Sequence, residues 1–219
     1  MLIIQLISGF TQSEKAWNGV QELREKLLSE LDDYSSLSVR IRLDEWSANW
    51  RAIARQMYML RERYPQEPLT VLVFAYSWGV GNGLVQLARQ LNRFGIDIET
   101  AVISDGVYRH WFSLGNWRVI LGDRRIVLPA NVLSVQGFHQ ETSYPMGRQP
   151  LLANGKQCDP WTKIRLEHVE MDGSRDWHRR CIRVTKDAAT RLVGGITSVP
   201  AAAPASAALD SRISNGSEP

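Results

Sequence analysis

The chain has 219 residues, a formal net charge of +3 and a hydrophobic fraction of 44%, which predicts one globular domain with a core large enough to cover a sheet. No apolar run approaches the roughly 20 residues that a membrane-spanning helix needs. The arginines are interleaved with apolar residues at helical spacing and form no basic block, so nucleic-acid binding is not expected either.

The N-terminus and the cysteines bear on the compartment. Residues 1–7 are apolar, but they are too short for a signal-peptide core and no basic leader precedes them, so they predict a strand. Cys158 and Cys181 are too few for a disulfide framework, and neither belongs to a paired metal-ligand spacing such as Cys-x-x-Cys. These features predict a cytoplasmic protein without a metal site.

Short β-branched runs alternate with longer stretches that place an apolar residue at every third or fourth position. This alternation predicts repeated β-α units, and therefore an α/β fold of three layers with a mostly parallel sheet and helices on both faces. The most apolar run, residues 69–75, is the predicted central strand. The other predicted strands are 2–7, 37–43, 98–103, 131–138 and 163–169, and the predicted helices are 14–30, 47–64, 84–94 and 174–191.

Irregular stretches separate some of these elements. Residues 105–129 predict a loop or small cap rich in aromatic residues, and residues 139–161 predict a long excursion before the last strand. From residue 196 the sequence is rich in Ala, Pro and Ser and buries too little apolar area to offset the entropy of ordering it. We therefore expect a domain over 1–195 and a disordered tail over 196–219.

The turn after the predicted central strand carries the segment Ala-Tyr-Ser-Trp-Gly at 75–79. A catalytic serine becomes a good nucleophile when a sharp strand-to-helix turn, permitted by small flanking residues, presents its hydroxyl to a base. Gly79 provides the second small position, and Ala75 stands where the motif normally has glycine. Ser77 is therefore a candidate nucleophile.

Two other interpretations of this turn are open. Ser77 can simply begin an ordinary β-α turn. Alternatively, Gly79, Gly81 and Gly83 can form a phosphate-binding loop, with Asp105 in the place of the ribose-binding acid of a dinucleotide site. The glycine spacing does not match that fingerprint, since Leu84 occupies the third glycine position and no Gly-Lys-Ser/Thr is found after it.

Segments 73–79, 103–107 and 166–172 together resemble those of small lipase-like or thioesterase-like α/β-hydrolases, over roughly residues 2–193. The resemblance implies an α/β-hydrolase-like fold and the chain order of nucleophile, acid and histidine, here Ser77, Asp105 and His168. His168 would take the serine proton while Asp105 orients its imidazole. Both are expected at the carboxyl ends of strands.

Alternatives exist for the acid and the base. Asp105 can be a turn-forming Asp-Gly, and His168 can be an exposed histidine at a strand end. His139 is the second choice for the base and a candidate pocket residue, ahead of His178 and then His110.

The predicted oxyanion hole uses the backbone N–H of Trp78 and a second donor from the loop after the first strand, where Gly9 permits a close approach. The resemblance supports Phe10 as that second donor. Trp111 and its aromatic neighbours are candidates for an apolar substrate pocket. Trp17, Trp46 and Trp50 are predicted as packing residues on helix faces.

The predicted function is hydrolysis of a small-molecule carboxylic ester or thioester through an acyl-serine intermediate, without a metal or an organic cofactor. A noncatalytic module of the same fold, binding a ligand or a protein at the same cleft, is the alternative that Ala75 suggests. The sequence indicates neither the acyl group, nor the leaving group, nor an oligomeric state.

Overall fold

The structure, a computed structural model, describes residues 1–10, 12, 18–107, 126–153, 155 and 158–197. Most of the predicted cap, with His110 and Trp111, lies outside the described residues, as do Trp17 and the tail from residue 198 onward. In chain order, the described strands and α-helices are β1 (Leu2–Ser8), α1 (Gly19–Leu31), β2 (Val39–Glu45), α2 (Trp50–Arg63), β3 (Thr70–Tyr76), α3 (Val85–Arg93), β4 (Thr100–Ser104), β5 (Val127–Leu128), β6 (Val135–His139), β7 (Leu151–Leu152), β8 (Trp161–Lys163) and α4 (Arg175–Thr197).

Six parallel strands form the main sheet in the order β2-β1-β3-β4-β6-β8, and β5 pairs with β7 in a separate two-stranded sheet. The chain moves outward from β1 to β2 on one side, and from β3 to β8 on the other. The strand order therefore reverses between β1 and β3. In open α/β sheets, ligands bind beyond the carboxyl ends of the strands at such a reversal.

Helices cover both faces of the sheet, which confirms the predicted three-layer α/β fold. Successive side chains of a strand point to opposite faces. Val73 and Ala75 of β3 pack in the layer formed with α2 and α3. Phe74 and Tyr76 pack in the opposite layer, formed with α1 and α4. The strand predicted to be central is thus buried from both sides.

Helix α1 and strand β6 both begin later than predicted, and a polar side chain has a specific role just before each start. The first helix begins at Gly19, since the extended Asn18 caps it: the Asn18 side chain accepts from the Gln21 N–H, and the Gln21 side chain accepts from the Asn18 N–H. β6 begins at Val135, after the predicted start at Asn131. The Asn131 side chain donates instead to the carbonyls of Ala88 and Ile96.

The predicted strand over 163–169 is wrong. β8 ends at Lys163, and residues His168–Gly173 form a 3₁₀-helix. Ile164 and Leu166 imitate the alternation of a strand, but they are only partly buried against the edge of the core. Glu167 and Glu170 form a capping box that begins the 3₁₀-helix. His168 therefore begins this helix and does not end a strand.

The last helix, α4, extends to Thr197, beyond its predicted end at Arg191. It packs on the sheet through Trp177 and Cys181, both fully buried. None of the helices in the described ranges is long and apolar enough to cross a membrane.

Candidate active site

Ser77 lies in a strained turn between β3 and a π-helical segment over Gly79–Leu84. Its φ of 52° is in the left-handed region, which costs free energy for a residue with a side chain. Backbone groups at and just beyond the end of β4 hold the turn. The Ser77 N–H donates to the Ser104 carbonyl at 3.0 Å, and the Ser77 carbonyl accepts from the Val107 N–H at 3.1 Å. The surrounding backbone thus maintains the strained conformation.

Glycines on both sides of this turn permit close backbone packing. A Cβ on Gly79 would lie 2.7 Å from the Ile7 carbonyl oxygen and 2.9 Å from that of Ser8. A Cβ on Gly9 would lie 3.0 Å from the Cβ of Ser77. The start of the helix and the loop after β1 therefore meet beside Ser77. The alanine at position 75, where the motif normally has glycine, does not alter the turn, because Ala75 lies within the hydrogen-bonded ladder of β3.

A chain of hydrogen bonds joins Ser77, His168 and Asp105. Ser77 Oγ lies 2.9 Å from His168 Nε2, and His168 Nδ1 lies 2.5 Å from Asp105 Oδ2. All three residues are buried, and Asp105, like Ser77, has a positive φ, here 43°. The structure thus brings together the three side chains proposed from sequence for nucleophile, base and acid, although His168 reaches its place from a 3₁₀-helix.

The Asp105 carboxylate is surrounded by N–H donors. Besides His168, it accepts from the Gln140 backbone N–H at 3.1 Å, from Gln140 Nε2 at 3.0 Å and from the Gly147 N–H at 2.8 Å. Since the carboxylate accepts, the proton between Asp105 and His168 belongs to Nδ1 of the imidazole. His168 Nε2 is then the acceptor for the Ser77 hydroxyl, and it can take the hydroxyl proton.

Two neighbours fix the orientation of His168. The backbone N–H of His168 donates to Ser143 Oγ at 2.8 Å, and its backbone carbonyl accepts from the Tyr76 hydroxyl at 2.7 Å. The Tyr76 ring also stacks on the imidazole, with 5.4 Å between centroids. Burial raises the pKa of the Tyr76 phenol, so it stays a neutral donor across the physiological range.

Comparison with known proteins gives a structural similarity but no sequence match. No family model matches the sequence, and no curated protein matches it. A solved structure titled "RedJ with PEG molecule bound in the active site" is similar to this chain. It has 11% sequence identity and a TM-score of 0.37, over 86% of this chain and 92% of that one.

The two residues predicted to form the oxyanion hole lie side by side. The rings of Phe10 and Trp78 are 4.4 Å apart between centroids, and Trp46 contacts both, at 6.1 Å and 5.4 Å. Trp46 lies in a turn after β2, so its predicted place on a helix face is wrong. The N–H of Gly9 donates to Gln12 Oε1 at 2.8 Å. Phe10 and Trp78 stay the predicted donors.

A second buried network ties the loop after β1 to the helix that carries His168. Gln12 Nε2 donates to Asp172 Oδ2 at 2.5 Å, and Gly19 N–H donates to the same oxygen at 2.9 Å. Asp172 also lies at the N-terminus of α1, where a helix favours negative charge. Because Gln12 also accepts from Gly9, this network links the loop beside Ser77 with the 3₁₀-helix.

The other described histidines have different partners. His139, predicted as a pocket residue and as the second choice for the base, stacks on Trp161 at 4.7 Å, and its Nε2 lies 3.5 Å from Glu141 Oε1. His178 Nε2 bonds the Asp172 carbonyl at 2.8 Å, and burial lowers the pKa of this imidazole. The place beside Ser77 Oγ is taken by His168.

Two glycines of the alternative phosphate-binding interpretation, Gly79 and Gly83, permit close packing against β1 and α2. A Cβ on Gly83 would lie 2.6 Å from Ile7 Cγ2 and 3.0 Å from Trp50 Cζ2, and a Cβ on Gly79 would lie 2.7 Å from the Ile7 carbonyl oxygen. Within the described ranges, His, Cys, Asp and Glu form no cluster of three or more that could hold a metal ion.

Sequence reasoning missed the residues around Ser77, Asp105 and His168 whose hydrogen bonds keep the site in place. Gln140 and Gly147 carry no motif, and Asp172 ends a segment of the resemblance that implied no role for it; each lies far along the chain from the site group it contacts. Tyr76 had a signal. It adjoins Ser77, and strand alternation alone places it on the sheet face opposite Ala75.

Proposed function

We propose that this protein is a serine hydrolase that cleaves a carboxylic ester or thioester through an acyl-serine intermediate. The observation that supports it most is the hydrogen-bonded chain from Ser77 through His168 to Asp105, with Ser77 held at a positive φ at the reversal of the strand order. Strained backbone at a buried polar site is typical of catalytic residues.

In the first half-reaction, Ser77 Oγ attacks the carbonyl carbon while its proton moves to His168 Nε2. The carbon–oxygen or carbon–sulfur bond to the leaving group then breaks, and the imidazolium returns this proton to the leaving alcohol or thiol. Asp105 accepts from Nδ1 throughout and stabilises the charged imidazole. The products of this half are the free alcohol or thiol and an acyl ester on Ser77.

In the second half-reaction, water attacks the acyl carbon and gives a proton to His168 Nε2. The bond between that carbon and Ser77 Oγ breaks, and the proton returns to the serine. The net reaction consumes one water and yields one carboxylic acid. Backbone N–H groups of Trp78 and Phe10 are the proposed donors to the oxyanion, and the aromatic cluster of Phe10, Trp46 and Trp78 offers an apolar surface for the substrate.

A fluorophosphonate probe tests the proposal, together with hydrolysis of p-nitrophenyl esters of graded acyl length. We expect the probe to label the wild-type protein and the Ser47→Ala control, which changes an exposed serine. Ser77→Ala should not be labelled, and its kcat should fall by at least about 10⁴-fold. Folded wild-type protein that neither labels nor hydrolyses any of the esters would instead favour a noncatalytic binding module.

A further inference from the structure

Gln140 comes directly after β6 and is fully buried. It contacts both oxygens of Asp105, with its backbone N–H on Oδ1 and its side-chain Nε2 on Oδ2, at 3.1 Å and 3.0 Å. Burying an amide side chain costs free energy unless its donors and acceptors are paired. The fold therefore stabilises Gln140 in one specific position, paired with the Asp105 carboxylate.

The same side chain organises the loop over residues 140–147. Gln140 Oε1 accepts from the backbone N–H groups of Thr142 at 2.7 Å and Ser143 at 2.8 Å. Nε2 also contacts the carbonyls of Ser143 and Pro145, both at 2.9 Å. The loop built around this amide then returns to the site with Gly147.

This loop contacts both ends of the Asp105–His168 pair. The Gly147 N–H donates to Asp105 Oδ1, and Ser143 Oγ accepts from the His168 N–H. A Cβ on Gly147 would lie 2.1 Å from Asp105 Oδ1, so only glycine lets the loop approach this closely. The loop therefore joins the acid just beyond β4 to the base on the 3₁₀-helix.

We infer that Gln140 is a positioning residue for the proposed hydrolysis: it fixes the Asp105 carboxylate, and through that carboxylate and the 140–147 loop it sets the orientation of His168. This inference rests on the proposed function only for its kinetic consequences. Four donors on two oxygens leave the carboxylate no freedom to rotate away from Nδ1. A misplaced acid of this kind costs about 10²-fold in rate.

Two substitutions separate the loop contacts of Gln140 from its contact with Asp105. Gln140→Glu keeps an acceptor oxygen for Thr142 and Ser143 and replaces the amide donor near Asp105 Oδ2 with a second carboxyl group. Gln140→Ala removes the side chain entirely. Gln136→Ala is the matched control, since Gln136 lies on β6, which Gln140 directly follows, and its side chain accepts from Arg180 at 3.0 Å.

Other titratable groups surround the pair and are unchanged in these variants. Tyr76 of β3 stacks on His168. His139 and Glu141 flank Gln140, and Lys163 of β8 pairs with Glu141. Beside His168, the 3₁₀-helix and its cap carry the acidic residues Glu167, Glu170 and Asp172.

We expect both Gln140 variants to lower kcat/KM by roughly 10- to 100-fold, mainly through kcat, while Gln136→Ala stays close to wild type. Because Gln140→Glu keeps the loop contacts, a loss in kcat as large as that of Gln140→Ala assigns the effect to the contact with Asp105. A purely structural role would lower the amount of folded protein and leave kcat per folded molecule unchanged.

The low-field proton NMR signal of the His168 Nδ1–H, in the protein without substrate, reports the hydrogen bond to Asp105 independently of catalysis. We expect this signal to move or broaden in Gln140→Ala and to stay at the wild-type position in Gln136→Ala. An unchanged signal in folded Gln140→Ala overturns the inference, whether or not the wild type hydrolyses esters. A changed signal in a protein without hydrolase activity would instead contradict the proposed function alone.

Discussion

The turn that carries Ser77 and the segment that carries His168 meet at 2.9 Å, but they are built differently. The Ser77 turn depends on the backbone of the strands beside it: the Ser77 N–H donates to the Ser104 carbonyl, and Gly79 packs against the backbone of β1. The His168 segment depends on distant side chains, with Ser143 on its N–H and Tyr76 on its carbonyl. One half of the site, the local half, is therefore held by backbone contacts within the sheet, and the other, the long-range half, by side chains from other parts of the chain.

Gly147→Ala should have the largest effect on the long-range half. The added Cβ would meet Asp105 Oδ1 at 2.1 Å and Asp105 Cα at 2.8 Å, so either the loop or the carboxylate must move. We expect kcat/KM for ester hydrolysis to fall by about 10²-fold, with a parallel loss in the rate of fluorophosphonate labelling. Gly173→Ala is the control, because its Cβ would meet nothing within 4 Å.

The same substitution in the local half should act on stability as well. In Gly79→Ala the added Cβ meets backbone oxygens of β1. These atoms belong to the central sheet, so moving them would distort its hydrogen-bonded ladder. We expect the free energy of unfolding to fall by about 1–3 kcal/mol, measured by chemical denaturation. A Gly79→Ala protein as stable as wild type would show that the turn tolerates a Cβ and is less tightly specified than the contacts indicate.

Tyr76→Phe tests one hydrogen bond of the His168 segment. It removes the hydroxyl that donates to the His168 carbonyl at 2.7 Å and leaves this buried acceptor unpaired, at a cost of about 1–3 kcal/mol. We expect a lower free energy of unfolding and a decrease of roughly 3- to 10-fold in kcat/KM. Tyr34→Phe removes an exposed hydroxyl contact with Thr190 and should change neither quantity measurably. Equal effects in the two variants would contradict the role of Tyr76.

The difference between the two halves also explains what the sequence could predict. Periodicity was sufficient for the sheet and the long helices, because the β-branched run at 69–75 and the apolar faces of the helices record burial directly. It failed at His168. Ile164 and Leu166 alternate like a strand, and only the capping residues Glu167 and Glu170 indicate that a 3₁₀-helix begins there.

The candidate site divides in the same way. Ser77 and Asp105 come after strongly apolar strands, so a local pattern indicates their place at the sheet edge. Gln140, just after β6, makes its decisive contact with Asp105, just after β4, and no local pattern records such a pairing. Single-sequence reasoning therefore finds the residues proposed for the chemistry more readily than those that hold them in place.

His178 gives the smallest predicted effect, and it makes the long-range half sensitive to pH. Burial lowers the pKa of this imidazole, whose Nε2 bonds the Asp172 carbonyl and whose Nδ1 lies 3.2 Å from Lys26 Nζ. The unfolded chain binds a proton at the ordinary histidine pKa of about 6.5, where the folded state still excludes it. The free energy of unfolding should therefore decrease as the pH falls below about 6.5.

His178→Gln, which keeps an N–H donor for the Asp172 carbonyl, isolates this contribution from those of the other histidines. We expect the wild type to lose more stability than this variant between pH 7 and pH 5 in urea denaturation. The Ser77 turn contains no such group, so the pH dependence should be seen first in the segment around Asp172, by hydrogen exchange. Identical slopes in the two proteins would mean that His178 already binds its proton in the folded state, against the effect of burial.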